Sequence, residues 1–177
     1  MSAQVKICGL TRPEDVETVN AAGPEFAGFV FYEKSKRNVS FDTAGDLLAR
    51  LDRRICPVAV CVSPDRSFLE KIAPLRFGRI QIHGDIDPVL LDSVDIPVWQ
   101  AVNISDSESL KVILHHPGIC GYVIDAAEFG SGKTFGWEQA QPAGSKAGKT
   151  DSDAAEGPKS KEIREAVGEK QFILAGG

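Results

Sequence analysis

Seven short apolar runs recur along the chain, each followed by a more polar stretch. They cover residues 5–8, 26–31, 57–62, 79–83, 97–102, 121–125 and 172–175. Most are apolar almost throughout, as parallel strands covered on both faces are. The stretches between them carry helix-start chemistry. Thr11 with Glu14, and Ser105 with Glu108, read as capping boxes, in which the hydroxyl accepts from a backbone N–H three residues on. Ser63-Pro64 and Asp87-Pro88 each set a capping side chain before a proline at the first helical position. Leu47, Leu48 and Leu51 fall on one helical face, as do Leu110, Ile113 and Leu114. A helix over 161–167 precedes the last strand.

Repeated β-then-α order predicts an α/β fold with a parallel sheet and right-handed crossovers. Such a sheet is either open and doubly wound or closed into a (β/α)8 barrel. No GxGxxG follows the first strand, which counts against dinucleotide binding. Residues 139–161 break the pattern. They are rich in Gly, Ala, Ser, Lys and Asp, bury too little apolar surface to offset ordering entropy, and read as a flexible insertion or loop. The last strand runs into Gly176 and Gly177, which is how a phosphate-cradling turn begins. A full barrel usually needs about 200 residues or more. On the barrel reading the 177 residues look cut short.

Composition changes this picture little. With 42% apolar and 25% charged residues, the chain is ordinary globular protein. A net charge of −5 argues against nucleic acid as the main partner, while a local site for a phosphorylated metabolite stays open. The cysteines (Cys8, Cys56, Cys61, Cys120) form no CxxC pair, and His83, His115 and His116 complete no zinc pattern, so no metal is expected. No secretory segment opens the chain and no apolar run nears the ~20 residues that span a bilayer. The cytoplasm is the expected compartment, and no membrane partner is foreseen.

Candidate chemistry sits at strand ends. Cys8 closes the first strand, just before Gly9, on the edge where α/β folds place their reactions. A thiol there is a candidate base or nucleophile; Cys56, Cys61 and Cys120 lack that placement and read as structural. Asp125 ends an apolar strand, where an unpaired buried carboxylate would be costly, and is a candidate general acid. Arg37, in the Lys34-Ser35-Lys36-Arg37 run after the second strand, is suited to holding a carboxylate by a two-pronged contact. His83 ends the fourth strand, and on residue type alone a structural role is the commoner one. Gly130-Ser131-Gly132-Lys133-Thr134 fails the Walker pattern because Ala127 stands where its first glycine belongs.

Taken together, these segments resemble the phosphoribosylanthranilate isomerases of tryptophan biosynthesis. The matching stretches are Lys6-Ile7-Cys8-Gly9-Leu10-Thr11, Gly28-Phe29-Val30-Phe31 leading to Lys34-Ser35-Lys36-Arg37, Gln81-Ile82-His83-Gly84, Asp125, Gly130-Ser131-Gly132-Lys133-Thr134-Phe135 with Trp137, and Ala175-Gly176-Gly177. The resemblance implies a (β/α)8 TIM barrel, of which this chain carries about seven of eight strands, as one barrel domain, 1–177, that lacks its last strand and helices. It also implies a cofactor-free Amadori rearrangement of N-(5-phosphoribosyl)anthranilate. In it Asp125 is the acid that opens the ribose ring, Cys8 the base at C2, and Arg37 the contact to the anthranilate. His83, Gly176 and Gly177 complete the substrate site. An unclosed barrel also suggests a homodimer, or a partner over the open edge. The rival reading is a catalytically impaired barrel fragment serving as a binding module. A metal-dependent pentose-phosphate epimerase would need more ligands than His83 and Asp125 supply.

Overall fold

A computed structural model describes residues 4–104, 107–126 and 160–175. They fall into two compact units, each taken by itself below. One unit comprises residues up to Trp99 together with His116–Ile119; the other comprises Gln100–His115 and the chain from Cys120 on.

The first unit alternates strand and helix: β1 (Lys6–Cys8), α1 (Pro13–Ala22), β2 (Phe26–Phe31), α2 (Phe41–Leu48), β3 (Cys56–Val62), α3 (Arg66–Ile72), a 3-10 turn (Ala73–Leu75), β4 (Arg79–His83) and α4 (Pro88–Asp92). β5 (Val98–Ile104) begins here and runs on into the second unit. β1 to β4 pair in chain order, all parallel. The register places Cys8 beside Gly28, Gly28 beside Val58, and Val58 beside Arg79. Because side chains alternate across a strand, this sorts the sheet into two faces.

One face carries Ala27, Phe29, Phe31, Ala59, Cys61, Ile80 and Ile82, and the helices cover it. Phe31 stacks on Phe41 of α2 at 5.1 Å between ring centroids and meets Phe68 of α3 edge-on at 5.6 Å. Phe29 packs on Phe77 at 5.9 Å. Full burial of such apolar side chains is the main stabilising term, at about 1.5–3 kcal/mol each. The opposite face carries Lys6 and Cys8 of β1, Phe26, Gly28 and Val30 of β2, Cys56, Val58, Val60 and Val62 of β3, and Arg79, Gln81 and His83 of β4. Its amino-terminal end is closed by Phe26 and Trp99, edge to face at 4.8 Å, with the Arg79 guanidinium 5.9 Å above the indole.

The second unit holds a 3-10 turn (Ser107–Val112), β6 (Ile119–Ala126), α5 (Ser160–Val167) and β7 (Gln171–Ala175), with β6 and β7 parallel. Gln100 is buried, yet both ends of its amide are used: Nε2 donates to Val112 O at 2.8 Å and Oε1 accepts from Leu114 N at 2.7 Å. Tyr122 is fully buried and donates to Leu114 O at 3.2 Å.

The seven expected strands all form, with ends shifted by at most two residues. The caps correct the sequence reading at several points. α1 is opened by Arg12 and Asp15, not by Thr11 and Glu14: Asp15 Oδ2 accepts from the backbone N–H of both Thr11 and Arg12. Those bonds, the Thr11 one foremost, lower the Asp15 carboxyl to about 2. Pro13 occupies the first helical position, so the cap falls one residue later than expected. Asp65, not Ser63, caps α3, accepting from Phe68 N at 2.8 Å. Asp87 caps α4 as expected, with Pro88 next to it. Ser105 lies outside the described residues, and residues 107–112 form a 3-10 turn rather than an amphipathic α-helix. Most of 139–161, Gly130–Thr134 with Phe135 and Trp137, and Gly176 and Gly177 also lie outside the described residues.

Candidate active site

In the first unit, three elements converge at the carboxyl-terminal end of the sheet. Cys8 is the last residue of β1 and is half-buried. The chain turns away from it at Gly9, whose φ of +94° lies where a side chain is strained. The turn is pinned to β2, because the N–H groups of Gly9 and Leu10 both donate to Gly28 O, at 2.8 and 3.2 Å. Arg37 reaches the same turn from the loop after β2: a Cβ built on Gly9 would collide with Arg37 Cδ. The stem of Arg37 therefore lies on the residue next to Cys8, while the side chain as a whole stays exposed.

His83 closes β4, on the same sheet face as Cys8. It is half-buried, and its Nε2 lies 2.8 Å from Nε2 of Gln81, two residues back on the strand. Gln81 is buried, and its Oε1 has no partner among the described residues. The strand end is held from the side by Ser63, which donates its N–H to His83 O at 2.8 Å and accepts from Asp85 N at 2.9 Å. Ser63 has a φ of +43°, one of two non-glycine residues with positive φ among those described.

The remaining cysteines differ from Cys8 as their positions predict. Cys61 is buried on the helix-covered face, donates weakly to Gln81 O at 3.7 Å, and burial pushes its thiol up to about 12. Burial also raises the Cys56 thiol, against an opposing pull from Arg79. Cys120 is exposed. None of these thiols stands at the carboxyl-terminal end of a strand beside a cationic side chain. Among the described residues, no three His, Cys, Asp or Glu side chains are placed to hold a metal ion.

In the second unit, Asp125 is the next-to-last residue of β6, half-buried, in register with Ala175 of β7. Gly121, Val123 and Asp125 share one face of that strand by alternation. Cys8 and Asp125 thus each stand at the carboxyl-terminal end of their own strand, as the apolar runs indicate. Gly28 and Gln81 are the contributors that residue type alone passes over. Their signals were present: a glycine inside an apolar strand marks a close approach, and residues two apart on a strand share a face.

One parallel α/β unit ends its strands in a thiol and an imidazole and the other ends a strand in a carboxyl group, which are the group types that acid–base enzymes use. The family model described as N-(5'phosphoribosyl)anthranilate (PRA) isomerase matches residues 5–177. An N-(5'-phosphoribosyl)anthranilate isomerase of Thermoanaerobacter sp. (strain X514) is 38% identical over 141 residues, covering 76% of this chain and 68% of its own length. One of Streptococcus gordonii is 40% identical over 136 residues, covering 76% and 67%. The crystal structure of phosphoribosyl anthranilate isomerase from Thermotoga maritima superposes with a TM-score of 0.76 at 26% identity, over 99% of this chain and 78% of that one. The chain belongs to the phosphoribosylanthranilate isomerase family, enzymes of tryptophan biosynthesis.

Proposed function

We propose that this chain, an isomerase acting on a phosphorylated small molecule, uses Asp125 as general acid and Cys8 as general base. The reaction is the Amadori rearrangement of N-(5-phosphoribosyl)anthranilate to 1-(2-carboxyphenylamino)-1-deoxy-D-ribulose 5-phosphate. Asp125 gives its proton to the furanose oxygen as the C1–O bond breaks, and the nitrogen lone pair forms a C1=N iminium. The Cys8 thiolate removes the C2 proton, and the freed pair forms C1=C2 while the nitrogen recovers its own. Return of that proton to C1, with passage of the O2 proton to the Asp125 carboxylate, yields the ketone and restores both groups. An iminium acidifies the adjoining C–H, so a modest base suffices, and each such proton transfer typically contributes about 10²–10⁴-fold. We assign Arg37 to the anthranilate carboxylate, His83 to the sugar, and Gly176 and Gly177 to the phosphate.

The observation that carries this reading is the corner formed by Cys8, Gly9 and Arg37, which sets a thiol and a guanidinium stem on one strand-end turn. The similarity to solved family structures supports reading the seven strands as successive strands of a (β/α)8 barrel. No helix among the described residues is long and apolar enough to cross a membrane, and we place the enzyme in the cytoplasm. The test follows loss of the substrate's anthranilate fluorescence with purified protein, beside Cys8→Ala and Asp125→Asn. Both variants are expected to lose at least about 10²-fold in kcat. Turnover untouched by both changes would remove the two assignments.

A further inference from the structure

We propose that Gly28 is a positioning residue for Cys8: by carrying no side chain it leaves a notch on β2 into which the thiol leans. A glycine inside a strand weakens it, through chain entropy and the absence of a side chain to pack. Gly28 is buried in the middle of β2, and its backbone does not take the left-handed φ that alone would call for glycine. Alanine would suit the strand better unless space forbids it. Space is short there. A Cβ at residue 28 would stand 2.6 Å from Cys8 Sγ and 3.2 Å from both Cys8 Cα and Cβ. These two residues are direct partners in the β1–β2 register, so the crowding comes from across the ladder. The contact to the sulfur is the severe one; those at 3.2 Å to Cys8 Cα and Cβ ask the strand pair to give by only a few tenths of an ångström.

The same device occurs a second time, away from the assigned site. A Cβ on Gly78 would fall 2.6 Å from Cys56 Sγ, at the amino-terminal end of β3 and β4. That pair provides an internal control. The catalytic part of the inference rests on the reading of Cys8 as base; the notch itself does not. A displaced sulfur would no longer meet the C2 proton, and misplacement by about 1 Å costs up to about 10²-fold in rate.

The test compares Gly28→Ala, Gly78→Ala, Cys8→Ala and the double variant Cys8→Ala/Gly28→Ala in the full chain. Gly28→Ala is expected to lower kcat by about 10–10²-fold with KM little changed. It is also expected to alter the rate at which iodoacetamide alkylates Cys8 in the folded protein, read by peptide mass spectrometry. Gly78→Ala should leave both readings at the wild-type level. In thermal melts, Gly28→Ala should cost stability when Cys8 is present and cost measurably less in the Cys8→Ala background, a coupling that a double-mutant cycle isolates. An unchanged Cys8 alkylation rate together with zero coupling would overturn the notch. Changed alkylation with wild-type turnover would overturn the positioning role, while full turnover in Cys8→Ala would separately overturn the reading of Cys8 as base. If Gly28→Ala fails to fold, the double variant decides, since the notch predicts that removing the sulfur restores folding; failure of both to fold would refute it.

Discussion

The two ends of the first unit's sheet are built from similar parts and differ in how firmly those parts are tied down. At each end a cysteine leans toward a glycine across a strand pair, Cys8 on Gly28 and Cys56 on Gly78. Each end also has an arginine close by. At the amino-terminal end the arginine is tied down: Arg79 lies over Trp99 and donates from Nη1 to Gly78 O at 2.9 Å. There Cys56 stands in register with Phe26 and feels the Arg79 charge. At the carboxyl-terminal end only the stem of Arg37 is held, against Gly9, and its head is left exposed. Backbone conformation follows the same division. Gly23 and Arg76 take positive φ next to helix ends, where a left-handed cap satisfies orphan carbonyls. Gly9, Ser63 and Gly84 take it immediately after strands, on the side where the thiol and imidazole stand. At the carboxyl-terminal end glycine takes two of these turns at little cost, and Ser63 is the one residue there, among those described, that carries the strain of a left-handed backbone.

Exchanging the roles of the two cysteines should break this comparison most sharply. Cys8→Ala is expected to lower kcat by about 10²–10⁴-fold, while Cys56→Ala should leave it within a factor of about two. Steady-state assays of both proteins, with circular dichroism to confirm folding, decide it. Equal losses would mean that the two notches are equivalent packing features.

Removing the floor should produce the converse. Trp99 is 1% exposed and holds both Phe26 and Arg79. Trp99→Ala is expected to cost about 3–5 kcal/mol, read as the shift in urea midpoint at constant m-value. A loss under about 1 kcal/mol would show that the floor collapses around the gap or that the ring is less central than its contacts indicate.

Most of the fold was legible because parallel strands are apolar on both faces and therefore read as unbroken runs. His83 and Asp125 were legible for the same reason, as polar residues at which such runs end. Caps were harder. At α1 the cap fell on Arg12, between Thr11 and the proline, and at α3 it fell on Asp65, beyond the proline that follows Ser63. A glycine inside an apolar run signals a close approach at residue 28, but what approaches it could not be read from that segment. Its neighbour Cys8 is twenty residues away, and only the strand register brings them together. The Arg37–Gly9 contact is hidden in the same way, by a loop that returns over a turn.

The cap at the start of α1 tests how firmly the chain leaves the carboxyl-terminal edge. The Asp15 carboxyl is lowered to about 2 in the folded protein, chiefly by the Thr11 backbone N–H. A folded-state pKa below the unfolded value of about 3.9 means that the charged form stabilises the fold. That stabilisation is complete above about pH 4 and is lost as pH falls from there toward 2. Asp15→Ala should therefore cost about 1 kcal/mol at pH 7, and the gap in melting temperature to wild type should narrow steadily below pH 4. A gap that is independent of pH would assign the loss to packing instead of the carboxylate.

The smallest effect carries the finest information about strain. Ser63 combines a left-handed backbone, which costs a non-glycine residue about 1–2 kcal/mol, with a side-chain bond to Asp85 N, worth about 0.5–1.5 kcal/mol net. The two terms have opposite signs, so each can be removed separately. Ser63→Ala loses the bond and keeps the strain, and should be about 1 kcal/mol less stable than wild type. Ser63→Gly loses the bond and sheds the strain, and should come out near wild type. Urea unfolding of the three proteins measures the difference. If the glycine variant is no more stable than the alanine variant, the turn after β3 stores no strain, and the contrast between the two ends of the sheet reduces to packing alone.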